Sequence, residues 1–323
     1  MTMIETTSKY NNPIVLQRAD PWVYKHTDGY YYFTGSVPGY QEIEVRRAKS
    51  LNDLENSEKA TVWRAHAEGS QSQLIWAPEI HFVQGKWYIY FAAAPSSHPK
   101  NHIFQHRMFA IECGAENPLT GKWEEKGQVR TQQESFCLDA TVFEHNDKLY
   151  YVWAQKEPAI PGNSNLYLSE MENPWTLKGK QLLLTIPEYG WEKIGFLVNE
   201  GPAVIIRNNK IFITYSASAT DGNYCMGLLW ADTEADLLDG YSWTKSKEPV
   251  FKSAPENGQF GPGHNSFTVS EDGQEDVLIY HARPYTEMDG DPLDNPDRHA
   301  RAQVFTWDES GFPVFGKPIA NNA

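Results

Sequence analysis

Three short stretches place a carboxylate just before a run of strand-forming residues: "RADPWV" around Asp20, "LDATVF" around Asp139 and "NEGPAV" around Glu200. A carboxylate at the entrance of a core strand is costly to desolvate unless it is paired or used. Carboxyls that converge in one pocket cannot all ionise freely. Like charges push their pKa values apart, and one group is held protonated. A protonated acid facing an ionised base is the pair that glycosidic cleavage requires. One protonates the leaving oxygen, and the other activates water or attacks carbon. A third carboxylate can raise the acid's pKa and orient it.

Such convergence needs a fold that repeats, and the chain does repeat. A turn rich in Asp, Gly or Asn followed by an aromatic or β-branched strand occurs five times: "TDGYYYFTGS", "VQGKWYIYFAAA", "HNDKLYYVWAQ", "RNNKIFITYSAS" and "GQEDVLIYHAR". The equivalent residues Tyr31, Trp87, Leu149, Ile211 and Val277 stand 56, 62, 62 and 66 residues apart. Propeller blades have periods near 50 residues. Each repeat continues with an alternating strand and a polar hairpin, and the strands are short and bounded by Gly, Pro, Asn or Asp. Helical periodicity is absent, except that "TEADLLDG" could form one turn. Four strands per unit and five units predict an all-β fold, a five-bladed β-propeller with four-stranded antiparallel blades, as a single domain over residues 1–323. A two-sheet sandwich is the alternative.

Ten to thirteen residues before each turn another strand begins, at "ADPWVY", "WAPEIHF", "LDATVFEH", "EGPAVII" and "GHNSFTV". First strands line a propeller's central channel. This alignment puts Asp20, Trp76 with Ala77, Asp139, Glu200 and His264 at the channel mouth, so that Glu200 is one of a ring.

The 323 residues suffice for a sizeable core, and the formal net charge of −14 repels phosphate backbones, so nucleic acid is not an expected partner. No apolar stretch approaches a membrane span, and no membrane partner is expected. Aromatics make up 13% of the chain, a surplus that suits stacking against a sugar. Cys113, Cys137 and Cys225 form no CxxC pair and no disulfide framework. The N-terminal "MTMIETTSKYNNP" has neither a basic nor an apolar signal region. Together these features predict a cytoplasmic protein. No Gly-rich phosphate loop follows a strand, so no organic cofactor is expected.

"RADPWV", "LDATVF" and "NEGPAV", in this order on a five-repeat chain, resemble glycoside hydrolase family 43, and the resemblance runs from about Pro13 to Pro318. The family includes α-L-arabinofuranosidases, endo-arabinanases and β-xylosidases. The resemblance implies an inverting hydrolysis with Asp20 as general base, Asp139 as the carboxylate that tunes and orients the acid, and Glu200 as general acid. It implies a substrate role for an arginine in "RHARAQVFTW", for which Arg298 is the choice and Arg301 the reserve. It also makes His264 a candidate for holding a Ca2+ ion in the central channel, although calcium prefers oxygen ligands. Trp76 in "WAPEI" is a candidate for stacking on substrate. "WAPEIHF", "SFCLDATVF" and "GFLVNEGPAV" resemble the arabinofuranosidase branch, so terminal α-L-arabinofuranosyl residues of arabino-oligosaccharides are the expected substrate, with the exo-1,5 type as a candidate within it. A β-xylosidase with the same apparatus is one alternative, and a sugar-binding lectin propeller is another.

Two further signals are set aside. His98, His102 and His106 recur every four residues, but Pro99 and the strand that follows argue against a metal-binding helix. The acidic "EMDGDPLDNPD" lacks EF-hand spacing and is expected to be a solvated loop.

Overall fold

Each repeat folds into a four-stranded antiparallel sheet, and five such sheets follow one another around an axis in a computed structural model that describes residues 9–321. Blade one is Ala19–Lys25, Tyr31–Ser36, Glu42–Ala48 and Glu58–Arg64. Blade two is Gln73–Val83, Lys86–Ala94, Arg107–Cys113 and Trp123–Gln128. Blade three is Cys137–His145, Lys148–Gln155, Asn165–Asn173 and Thr176–Thr185. Blade four is Asn199–Arg207, Lys210–Ala217, Cys225–Asp232 and Thr244–Lys245, and blade five is Phe260–Val269, Asp276–Arg283, His299–Trp307 and Pro313–Val314. The expected five-bladed all-β propeller is therefore what forms. "TEADLLDG" makes turns, and a single 3-10 turn begins at its last residue, over Gly240–Ser242.

The first strands touch one another in order around the axis, and the fifth returns to the first. The second strands lie sandwiched between neighbouring blades. This is why they read as unbroken apolar runs: in Lys86–Ala94 every residue after Lys86 is buried. The ring is tied by the N-terminal segment. The Asn12 side chain donates to Ala302 O and accepts from Ala302 N–H, both at 2.8 Å, and Val15 bridges to Ala300. This joins the start of the chain to the third strand of blade five.

All five first strands carry a β-bulge at the same place. The ladder shifts register after Ala19, Trp76, Glu200 and Gly263, and between Leu138 and Ala140. The extra residue is Asp20, Ala77, Asp139, Gly201 or His264, and all five have positive φ, between 42° and 55°. Asp tolerates this left-handed region better than most residues, and Gly tolerates it freely. A bulge turns the side chain out of the sheet's alternation and frees the N–H from the ladder.

This register corrects the expected ring at one point. Glu200 is not the equivalent of Asp20 and Asp139; Gly201 is. Glu200 occupies the preceding place, with Ala19, Trp76, Leu138 and Gly263, so it reaches the channel mouth from a different backbone position. The prolines after the bulge, Pro21, Pro78 and Pro202, mark the true alignment.

Candidate active site

Four of the five freed N–H groups fasten their bulge to the blade before it. Asp20 N–H donates to His281 Nδ1 at 3.1 Å, Ala77 N–H to Ser36 Oγ at 2.9 Å, Gly201 N–H to Asp139 Oδ2 at 3.0 Å, and His264 N–H to Ser216 Oγ at 2.7 Å. The functional side chains thus rest on backbone that two blades hold. Above them opens a pocket of about 410 Å3 lined by Asp20, Trp76, Asp139, Glu200, His264 and Arg298, among others. All six candidate residues come together there.

The three carboxylates are buried but not equivalent. Burial alone would raise the Asp20 carboxyl. The His264 ring, Arg298, the His281 ring and the Ser36 hydroxyl outweigh it and hold Asp20 well below the usual carboxylate range. Ser36 Oγ donates to Asp20 Oδ2 at 2.6 Å, while Arg298 Nη1 and His264 Nδ1 approach Oδ1 at 3.4 and 3.2 Å. Burial pushes both histidines below their ordinary pKa. The permanent cation facing Asp20 is therefore Arg298.

Glu200 goes the other way. Burial and the Asp20 charge raise it to about 7, although the Tyr224 hydroxyl, donating at 2.9 Å, and Arg298 pull it down. Burial and the charges of Glu200 and Asp20 push Asp139 up as well, against the Gly201 N–H. Asp139 and Glu200 titrate as a pair. Near neutral pH the site can hold an ionised Asp20 opposite a carboxyl that carries a proton, the division of labour that acid–base cleavage needs.

Trp76 stacks on His106, with ring centroids 3.9 Å apart and planes at 22°, and meets Tyr40 and Phe104 edge-on. Among the described residues, His106 belongs to no metal cluster. It is buried, its pKa is pushed down to about 3, and its Nε2 bonds to Leu74 O. His102 lines the pocket, and His98 pairs with Ser97 at the surface. Arg298 and Arg301 part company: Arg301 points away and donates to Asn321 and Ile319 O.

The "EMDGDPLDNPD" loop is not simply solvated, because Asp291, Pro292 and Leu293 form one wall of the pocket. Buried Arg283 holds it there, donating to Pro292 O and to Thr220 O of blade four, both at 2.5 Å. Tyr40 adds a bond to Leu293 O at 2.6 Å and receives Arg298 Nη2 at 3.0 Å. No sequence motif marks Tyr224, Ser36, His281 or Arg283 as site residues. The signal for Tyr224 is indirect: Gly263 must lack a side chain, because a Cβ there would lie 2.6 Å from the Tyr224 ring.

The expected Ca2+ finds little support in these side chains. Among the described residues no group of three or more His, Cys, Asp or Glu is arranged to hold a metal ion. The His264 Nδ1 is directed at Asp20, and calcium prefers oxygen ligands to an imidazole nitrogen.

Residues 10–313 match the family described as "Glycosyl hydrolases family 43". The chain belongs to this family. It is 52% identical over 312 residues to "Extracellular exo-alpha-(1->5)-L-arabinofuranosidase" of Streptomyces avermitilis, covering 97% of this chain and 64% of that protein. It is 49% identical over 311 residues to "Alpha-L-arabinofuranosidase 43" of Humicola insolens, again covering 64% of the relative, so the chain spans about two thirds or less of these relatives' length. A crystal structure of alpha-L-arabinofuranosidase from Lactobacillus brevis superposes with a TM-score of 0.96 at 59% identity, over 97% of this chain and 98% of that one.

The expectation of a cytoplasmic protein is overturned by these relatives, since those from Streptomyces avermitilis and Streptomyces chartreusis are both named extracellular and point towards secretion. The physical basis of that expectation was weak. The N-terminal stretch on which it leaned lies largely outside the described residues. The three cysteines are free and buried, where thiols are inert whatever the compartment.

Proposed function

We propose that this chain is one catalytic unit that hydrolyses terminal α-L-arabinofuranosyl residues of arabino-oligosaccharides, with 1,5-linked chains as the first candidates. Asp20 acts as general base on water, Glu200 as general acid towards the leaving oxygen, and Asp139 raises and orients Glu200. Arg298 keeps Asp20 ionised and lies within reach of the sugar, and Trp76 offers it a flat wall. The observation that carries this reading is the electrostatic asymmetry of the pocket. Arg298 and Ser36 hold one buried carboxylate ionised, while burial and like charge push another up to about 7.

The arabinose assignment rests on the relatives, whose names specify α-L-arabinofuranosidase at 47–52% identity. A xylan β-1,4-xylosidase of Bacillus halodurans shares the fold at 16% identity and supports nothing finer. No organic cofactor takes part in this mechanism. No step is assigned to a central Ca2+, for which the side chains around His264 form no site among the described residues. The test is a paired assay on 4-nitrophenyl α-L-arabinofuranoside and 4-nitrophenyl β-D-xylopyranoside, followed by chromatography of the products from arabinotriose. Preference for the arabinoside by at least tenfold, with arabinose as first product, supports the reading. Preference for the xyloside would replace it, and binding without turnover would favour a lectin.

A further inference from the structure

The wall of the pocket on the Glu200 side is built around an exposed aromatic ring. Phe196 lines the pocket yet is 60% exposed. An isolated exposed phenylalanine needs no explanation. This one sits on a segment, residues 193–197, that is fastened on both sides. Ile194 N–H donates to Ser218 Oγ and Ile194 O accepts from Ala219 N–H, both at 2.9 Å, while Leu197 O accepts from Asn163 N–H at 2.8 Å. Just before it, the fully buried Glu192 carboxylate accepts from the N–H groups of Glu188 and Tyr189 at 2.7 Å, from Tyr215 OH at 2.8 Å and from Asn199 Nδ2 at 3.1 Å. Lys245 approaches the same carboxylate at 2.7 Å. The ring is therefore carried on a braced strand entry rather than a loose loop, so little ordering entropy is lost when something covers it.

Its place in the chain says what would cover it. Phe196 precedes Glu200 by four residues on the segment that runs into the first strand of blade four. A general acid must stand beside the oxygen of the leaving group, and the base stands across the sugar from it. Asp20 has the Arg298 guanidinium beside it, whereas the segment that leads into Glu200 brings the apolar Phe196 and Val198 to the pocket, with Ala219 bonded to Ile194 next to them. The Asn163 side chain lies on the same wall and makes no hydrogen bond to another described residue, which leaves it available to a hydroxyl.

We propose that Phe196 is the platform for the leaving sugar: the C–H face of the furanose released from the cleaved bond packs on the ring while Glu200 protonates the bridging oxygen. This deepens the proposed function and rests on it. The test compares α-1,5-arabinobiose, which has a leaving sugar, with methyl α-L-arabinofuranoside, which has none. Phe196→Ala should lower the ratio of kcat/KM for the disaccharide to that for the methyl glycoside about tenfold, the size of one lost apolar contact. Phe196→Tyr should restore most of it. A ratio within about twofold of wild type in Phe196→Ala would overturn the proposal, because a merely structural role would depress both substrates together. A wild-type protein that cleaves neither substrate would instead refute the proposed function, so the two failures are distinguishable.

Discussion

At the scale of single residues, the site works by giving like groups unlike surroundings. Asp20, Asp139 and Glu200 are all buried carboxylates, yet only Asp20 faces Arg298 and the Ser36 hydroxyl together. Glu200 is left high, moderated chiefly by Tyr224. The Tyr224 hydroxyl bonds to the ionised form and lowers the pKa, so its loss must raise it. Tyr224→Phe should move the alkaline limb of the kcat/KM pH profile upward by about one unit, with Asp20, Asp139 and Arg298 still facing the group. A limb that stays put or moves down would show that Glu200 is not the acid. The roles of the two outer carboxylates separate by leaving group. Glu200→Gln should cost roughly 10²–10⁴-fold on arabinobiose but much less on a dinitrophenyl arabinoside, whose phenolate departs without a proton. Asp20→Asn should lose heavily on both, since water must still be activated. Equal losses on both substrates for Glu200→Gln would contradict the assignment.

At the scale of elements, the recurring device is the bulge at the channel end of each first strand. It places Asp20, Asp139 and His264 on left-handed backbone and gives the freed N–H groups of Asp20 and His264 to the preceding blade. Gly201 occupies the same place in blade four because a Cβ there would lie 3.0 Å from His264 Cγ and 3.1 Å from Nδ1. Gly201→Ala should lower stability by about 1–3 kcal/mol through strain at positive φ. It should also reduce activity by turning the His264 ring away from Asp20. Ala77→Gly at the equivalent bulge should melt no lower than wild type, since glycine relieves the strain that alanine bears there. Thermal melts of the pair check this directly. Much of this scale was legible. Strand-and-turn grammar is local, so the five units and the three carboxylate motifs can be read along the chain. The one-residue displacement of Glu200 was marked only by the prolines that follow three of the bulges, Pro21, Pro78 and Pro202. The acidic 287–297 stretch could not be read as a pocket wall, because its place is set by Tyr40 of blade one and by Arg283, itself anchored to Thr220 of blade four.

At the scale of the whole molecule, closure of the ring holds distant parts of the chain in one site. Asp20 lies in blade one and Arg298 just ahead of the third strand of blade five, yet they meet across the seam that Asn12 ties. Asn12→Ala leaves a buried carbonyl and a buried N–H without partners and should cost about 2–4 kcal/mol, read as a lower denaturant midpoint. Loss of less than about 0.5 kcal/mol would mean that the seam is held elsewhere. Closure also decides the stereochemistry. Blades one and four are not neighbours, so Asp20 and Glu200 enter the pocket from different blades, with the Asp139 carboxyl of blade three close enough to Glu200 to feel its charge. Carboxyls on blades that do not adjoin are suited to the separation of about 6.5–9.5 Å by which inverting enzymes admit a water opposite the leaving group. The most direct test is proton NMR of the first minutes of arabino-oligosaccharide cleavage, before mutarotation. The arrangement predicts initial β-arabinofuranose from the α-linked substrate. Initial α-anomer, or a covalent glycosyl-enzyme trapped at Asp20 by a fluorosugar, would contradict it.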